Sequence, residues 1–181
     1  MDLVSMTSGK GRCPVCGLEP SSVNPPDASA ALRSYPRRYR RLLVRIDDEE
    51  GARIVMQRPG PDLWSAVEHA SHVADVIDAV SEAVRSVQLH DDPSISVSVG
   101  PPRAEPVDAV LDRVTMGSDR LATLVDGIKG KDWQRAGRLP SGERVTALDL
   151  ARHAVHVGAH HRRLIERVMG TVRFRPNHTT E

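Results

Sequence analysis

Between residues 63 and 89 the apolar positions Ala66, Val73, Val76, Ile77, Val80, Val84 and Val87 recur every three or four residues, with Asp75, Asp78, Glu82 and Arg85 opposite them. At about 100° per residue this spacing draws one broad apolar arc, which predicts a helix over that stretch. The same period predicts a helix over 106–128, apolar at Val107, Val110, Leu111, Val114, Leu121, Leu124 and Val125. It returns in Leu150, Ala154, Val157, Leu164, Ile165 and Val168, for a helix that Thr146 could cap and that should end before Gly170. Nearer the start, Asp27 could cap a short helix over 28–33. Pro36 suits a helix start better than an interior, so the first main helix is expected from there to about Ile46.

The breaks between these arcs carry their own signals. Asp47, Asp48, Glu49, Glu50 and Gly51 close the first helix, and Arg58-Pro59-Gly60-Pro61-Asp62 leads into the second. Residues 91–106 form a proline-bearing connection long enough to cross a bundle. The alternation in Ile95-Ser96-Val97-Ser98-Val99 reads as an extended loop rather than a strand. A further loop holds Trp133, Pro140, Ser141 and Gly142. Residues 1–26 show no period and read as an ordered knuckle or a loose arm. The expectation is an all-α fold, a four-helix bundle over 27–170 with a head at 1–26 and a tail at 171–181. Any site would be built from side chains of facing helices.

Composition narrows this picture. With 181 residues the chain can bury one adequate core. Aromatic residues make up only 3%, so that core must come from Val, Leu, Ile and Ala, a mix that suits packed helices. A net charge of +1 argues against nucleic acid or an anionic membrane as an obligate partner. No apolar run approaches the roughly 20 residues of a bilayer span, and residues 1–12 lack the apolar stretch of a secretory signal. Two cysteines in one CxxC make no disulfide framework, so a cytoplasmic protein is expected.

Six of the eight histidines fall in two helical stretches, His69 and His72 in one, His153, His156, His160 and His161 in the other. Residues three and four apart share a helix face, so His153, His156 and His160 form a stripe, with Asp149 above and Arg163 below. Neutral imidazole is the commonest ligand of divalent transition metals. An i, i+4 pair plus one His from a facing helix gives three nitrogens and open positions, the layout of a catalytic metal. His161 lies about 100° round the helix from His160 and should not share that metal. His69 and His153 are expected to orient ligands or to pack, and His90 and His178 to face solvent. The bland alternative for any one of them is a helical histidine with an ordinary hydrogen bond.

The Trp64-Ser65 opening, followed by the H-x-x-D turn of His72 and Asp75, resembles the second-helix signature of the DinB-like superfamily. Asp132-Trp133, Gly142 and the His156-x-x-x-His160 pair match later positions, and Cys13-Pro14-Val15-Cys16-Gly17 resembles the head of one branch. The resemblance covers about residues 27–170 and that head. It implies a DinB-like bundle among metal-dependent proteins that include thiol transferases and mycothiol-dependent maleylpyruvate isomerase. It also implies a metal triad of His72, His156 and His160 holding zinc or nickel, with a low-molecular-weight thiol such as mycothiol as a second cofactor. The isomerase branch carries Glu where this chain has His156, so the all-histidine members are the closer match.

Three neutral imidazoles would leave a divalent metal its full charge, enough to lower the pKa of a bound thiol or water. A metal-bound thiolate is a competent nucleophile at neutral pH. The first expectation is therefore an enzyme that transfers a thiol, or uses one in isomerisation, on a small-molecule substrate. A metal-dependent hydrolase and a non-catalytic metal-binding stress-response scaffold are the alternatives. Asp75, one turn from His72, and Asp149 are the nearest candidates for catalytic acids, or else orient a histidine. The chain could also pair with a second copy of itself. Cys13 and Cys16 supply half the ligands of a zinc site and would have to recruit His, Asp or another chain; a reduced knuckle without metal is the alternative. Arg37, Arg38, Arg40, Arg41 and Arg45 could hold a carboxylate or an anionic thiol, although a solvated helix face explains them more simply.

Overall fold

The computed structural model describes residues 11–44 and 49–173. Among them are five α-helices: α1 (Pro25–Leu43), α2 (Glu49–Met56), α3 (Ala66–Leu89), α4 (Val107–Gly127) and α5 (Ala147–Arg173). The expected helix end at Ile46, the residues before Gly11, Arg45, and the tail beyond Arg173 with His178 lie outside the described residues.

The first helix is one element, not two. Asn24 caps it, its side chain accepting from the Asp27 N–H at 2.9 Å, and Pro25 and Pro26 occupy first positions whose N–H groups would have no partner anyway. Pro36 sits inside α1 instead of starting it. An interior proline costs about 3 kcal/mol. Against that, α1 buries Leu32, Tyr35, Tyr39 and Leu43 along one face, each contributing roughly 1.5–3 kcal/mol. The buried face outweighs the lost hydrogen bond.

Helix α3 starts three residues later than its apolar arc suggests, because Ser65 and Glu68 form a reciprocal capping box. The Ser65 N–H donates to Glu68 Oε2 at 2.8 Å and the Glu68 N–H to Ser65 Oγ at 3.3 Å. Helix α5 opens the same way, the Asp149 N–H donating to Thr146 Oγ1 at 3.1 Å and the Thr146 N–H to Asp149 Oδ2 at 3.0 Å. It runs through Gly170 to Arg173, past the expected stop. The short α2 fills a stretch that the acidic cluster and the Pro/Gly run marked as loop.

The four long helices form a ring in which α1 packs on α4 and α5, and α3 on the same two from the opposite corner. Helices α3 and α4 run parallel, since Asp75 pairs with Arg113 and Asp78 with Arg120. Residues 90–106 must therefore return the length of the bundle. At 1.5 Å per residue α3 is about 36 Å long, within the roughly 50 Å that such a connection spans when extended. Ile95 and Val97 are buried and Ser96 and Ser98 exposed, so the alternation is that of an extended segment lying on the core. Its start joins a small hairpin, β1 (Ala136–Arg138) with β2 (Arg144–Thr146), through a Ser94–Arg138 bridge. No helix among the described residues is long and apolar enough to cross a membrane.

Candidate metal centre

The Cys13-Pro14-Val15-Cys16-Gly17 segment is a tight knuckle. Its turn is closed by Gly17 N–H to the Cys13 carbonyl at 2.8 Å and by Cys13 N–H to the Leu18 carbonyl at 2.8 Å. Gly17 has φ +73°, a left-handed conformation that a side chain would strain. Arg152 of α5 holds the chain just beyond, donating to the carbonyls of Ser21 at 2.8 Å and Val23 at 2.9 Å. The knuckle is thereby laid against the His156/His160 stripe.

Tyr35 and Tyr39 set α5 from the other side. Their hydroxyls donate to the carbonyls of Val155 at 2.6 Å and Gly158 at 2.8 Å, on either side of His156. The outcome is a group of four: one ligand atom each from Cys13, Cys16, His156 and His160, all within 4.8 Å of one another. Cys13 Sγ lies 3.5 Å from His160 Nδ1. In a tetrahedral zinc site, bond lengths of about 2.3 Å to sulfur and 2.0–2.1 Å to nitrogen separate those two atoms by about 3.6 Å. His156 Nε2 is buried without a hydrogen-bond partner, as a nitrogen waiting for a ligand would be.

The electrostatics fit a cation. Burial lowers the pKa of both His156 and His160, with His156 adding to the effect on His160, so both imidazoles are neutral at pH 7 and free to coordinate. Burial would raise the Cys13 thiol, but the backbone N–H groups of Cys16 and Val15 outweigh it and hold it below its ordinary value. Cys16 goes the other way, raised by burial and by its neighbour Cys13. The two thiols are thus pushed in opposite directions, and a bound dication would favour the thiolate form of both.

His72 is not part of this group. It belongs to a second cluster on the α3–α5 interface, its ring 4.7 Å from His161 and 5.1 Å from Trp64. His69 Nδ1 and His161 Nδ1 share a hydrogen bond of 3.0 Å, and Trp64 stacks on His161 at 6.0 Å. Burial, with the neighbouring imidazoles, lowers His161 strongly and His69 to about 4. His72 Nδ1 is buried and unpartnered. Of the expected triad, then, the structure brings His156 and His160 together with the two cysteines and turns His72 toward His161. The position four residues before His161, where a helical partner ligand would sit, is the buried Val157.

The two acidic candidates are engaged elsewhere. Asp75 pairs with Arg113 and, at 3.5 Å, with Arg103. Asp149 is the capping carboxylate of α5, accepting from the Thr146 hydroxyl at 2.6 Å. His153 is half-buried, while His90, Arg37, Arg38, Arg40 and Arg41 are exposed. Sequence reasoning kept the cysteines and the histidine pair apart. Their C-x-x-C and H-x-x-x-H spacings are those of a zinc finger, but Cys13 and His160 stand 147 positions apart where a finger has about a dozen residues between its pairs.

The chain belongs to the DinB superfamily, whose family model matches residues 31–165. Among solved structures it is similar to YfiT from Bacillus subtilis, described as a probable metal-dependent hydrolase with an unusual four-helix bundle topology. The likeness has a TM-score of 0.67 at 14% identity and covers 92% of this chain and 98% of that one, which establishes the shared fold. No curated protein matches the chain.

Proposed function

We propose that this DinB protein is a zinc-binding scaffold, in which Cys13, Cys16, His156 and His160 form a closed centre that fastens the head to α5. The observation that carries the reading is the convergence of these four ligand atoms within 4.8 Å. Two thiolates with two imidazoles suit zinc better than nickel, and together they neutralise its charge. Thiol transfer at this metal would need an open position for the incoming thiol, and four protein ligands fill a tetrahedron. That counts against mycothiol as a cofactor of this centre.

A second reading has its own support. The unpartnered His72 Nδ1 beside neutral His69 and His161 is a place where a second metal could bind with open positions. Metal-dependent hydrolysis, the activity described as probable for YfiT, or thiol transfer to a small molecule would then belong there.

Metal analysis of the purified protein separates the two. We expect about one equivalent of zinc, lost in Cys13→Ser and in His160→Ala and kept in His72→Ala. Undiminished zinc in Cys13→Ser would sink the four-ligand centre. A further equivalent lost only in His72→Ala would establish the interior site.

A further inference from the structure

We infer that the Cys13/Cys16 pair is an oxidant-operated latch: peroxide joins the two thiols as a disulfide, empties the metal centre and releases the knuckle from α5 while the bundle stays folded. The inference rests on the Cys2His2 reading and adds a regulation of that site. Three observations carry it.

The chain has two cysteines, so either thiol has one intrachain partner, three residues away in the same knuckle. Their sulfurs already lie within 4.8 Å of each other. Both are half-exposed, as is His156, while His160 is buried on α5, so the oxidisable ligands are open to solvent. Finally, the knuckle has little else to hold it. Its backbone hydrogen bonds are internal, and among the described residues the contact of Cys13 with His160 is its one hydrogen bond to the bundle. Leu18 packs on the core. The Arg152 anchor grips Ser21 and Val23, beyond the knuckle.

The chemistry balances without a further reactant. One cysteine thiolate attacks a peroxide oxygen; the O–O bond breaks, sulfur becomes a sulfenic acid, and the departing hydroxide takes a proton to become water. The second thiolate attacks that sulfur, the S–S bond forms, the S–O bond breaks, and a second water leaves. Two electrons pass from the thiols to the peroxide. The disulfide carries no charge and is a poor ligand, so two neutral imidazoles are left to hold the dication alone. An added dithiol restores the two thiols by exchange, attacking the S–S bond and leaving as its own cyclic disulfide.

The test uses the full chain loaded with zinc and treated with hydrogen peroxide. Released zinc is read with a chromophoric chelator, the Cys13–Cys16 disulfide by mass spectrometry, and helix content by circular dichroism. We expect about one equivalent of zinc per disulfide, unchanged helix content, and trypsin cleavage after the exposed Arg12 several-fold faster. Dithiothreitol with zinc should restore the original state. Cys16→His keeps four ligands but forms no disulfide, so it should bind zinc and retain it under peroxide. Release from Cys16→His at the wild-type rate, or a disulfide formed while zinc stays bound, overturns the latch. A chain that binds no zinc when reduced overturns the four-ligand reading itself; one that binds zinc and keeps it under peroxide overturns the latch alone.

Discussion

Gly158 lets Tyr35 of α1 lie directly against the α5 backbone, between the two histidines that face the knuckle. A Cβ there would lie 2.3 Å from Tyr35 Cε2 and 2.5 Å from its Cζ. Tyr35 cannot withdraw, being 2% exposed and tied through its hydroxyl to the Val155 carbonyl. Alanine is the better helix former by about 1 kcal/mol, yet the clash should win, and Gly158→Ala is expected to destabilise by about 1–3 kcal/mol. In a Tyr35→Ala background the obstacle is gone and the same change should stabilise. Urea unfolding of the four proteins measures the coupling; an equal cost in both backgrounds would refute the clash. Single residues also show where sequence reading stops. Asp75 and Asp149 look alike as acidic neighbours of histidines, and only the fold reveals an arginine on one and a helix N-terminus on the other.

At the scale of elements, the Thr146 cap of α5 was read from the sequence, whereas the start of α3 was expected near Leu63 and the Ser65–Glu68 box moves it to Ala66. Ser65 and Glu68 stand at the S-x-x-E spacing that ends a loop and starts a helix. Glu68 is also gripped by Arg58, whose Nε donates to Oε2 at 2.9 Å. Burial would raise the Glu68 carboxyl, but the Arg58 and Ser65 hydrogen bonds prevail and hold it below its ordinary value. A carboxyl with a folded pKa below its unfolded value of about 4.3 adds stability above that pH and loses it as pH falls through the folded pKa. Glu68→Gln can keep the reciprocal bond to Ser65 but loses the charge. It should cost about 1 kcal/mol at pH 7, since Arg58 is half-exposed and screened. Urea unfolding of both proteins from pH 7 down to pH 3 should show that gap closing below about pH 4. A gap that does not change with pH would mean the charge contributes nothing. By contrast, Pro36 misled because propensity is local, while the burial of Leu32, Tyr35 and Tyr39 that overrides it is tertiary.

For the whole molecule, the question is what the metal holds. The ring of α1, α4, α3 and α5 already encloses a core running from Val23 to Val172, so the centre adds to a bundle that can stand without it. A metal that binds only the native state stabilises it by about 2.7 kcal/mol at a hundredfold excess over its dissociation constant. For a chain of this length that is a shift of roughly 5–10 °C in Tm. Chelation should therefore lower Tm by that order and leave the helical circular dichroism at 25 °C intact, unlike a zinc finger, which unfolds without metal. Loss of helix on chelation at 25 °C would show that the core does not stand alone.

The sequence by itself determined the three helices α3, α4 and α5, since a hydrogen-bonding partner four residues away and an apolar period near 3.6 are local properties written in every arc from Ala66 to Val168. It also determined the stock of ligands, two cysteines and a histidine pair at coordinating spacings, and the family to which the bundle belongs. It could not decide which helix faces meet. His160 and His161 are neighbours about 100° apart, and either could have faced His72. Only the tertiary structure turned His161 to the interior and His160 to the head. That choice depends on Tyr35 and Tyr39 gripping α5, and on Arg152 of α5 gripping Ser21 and Val23, each across more than a hundred positions, a long-range packing decision on which local periodicity is silent.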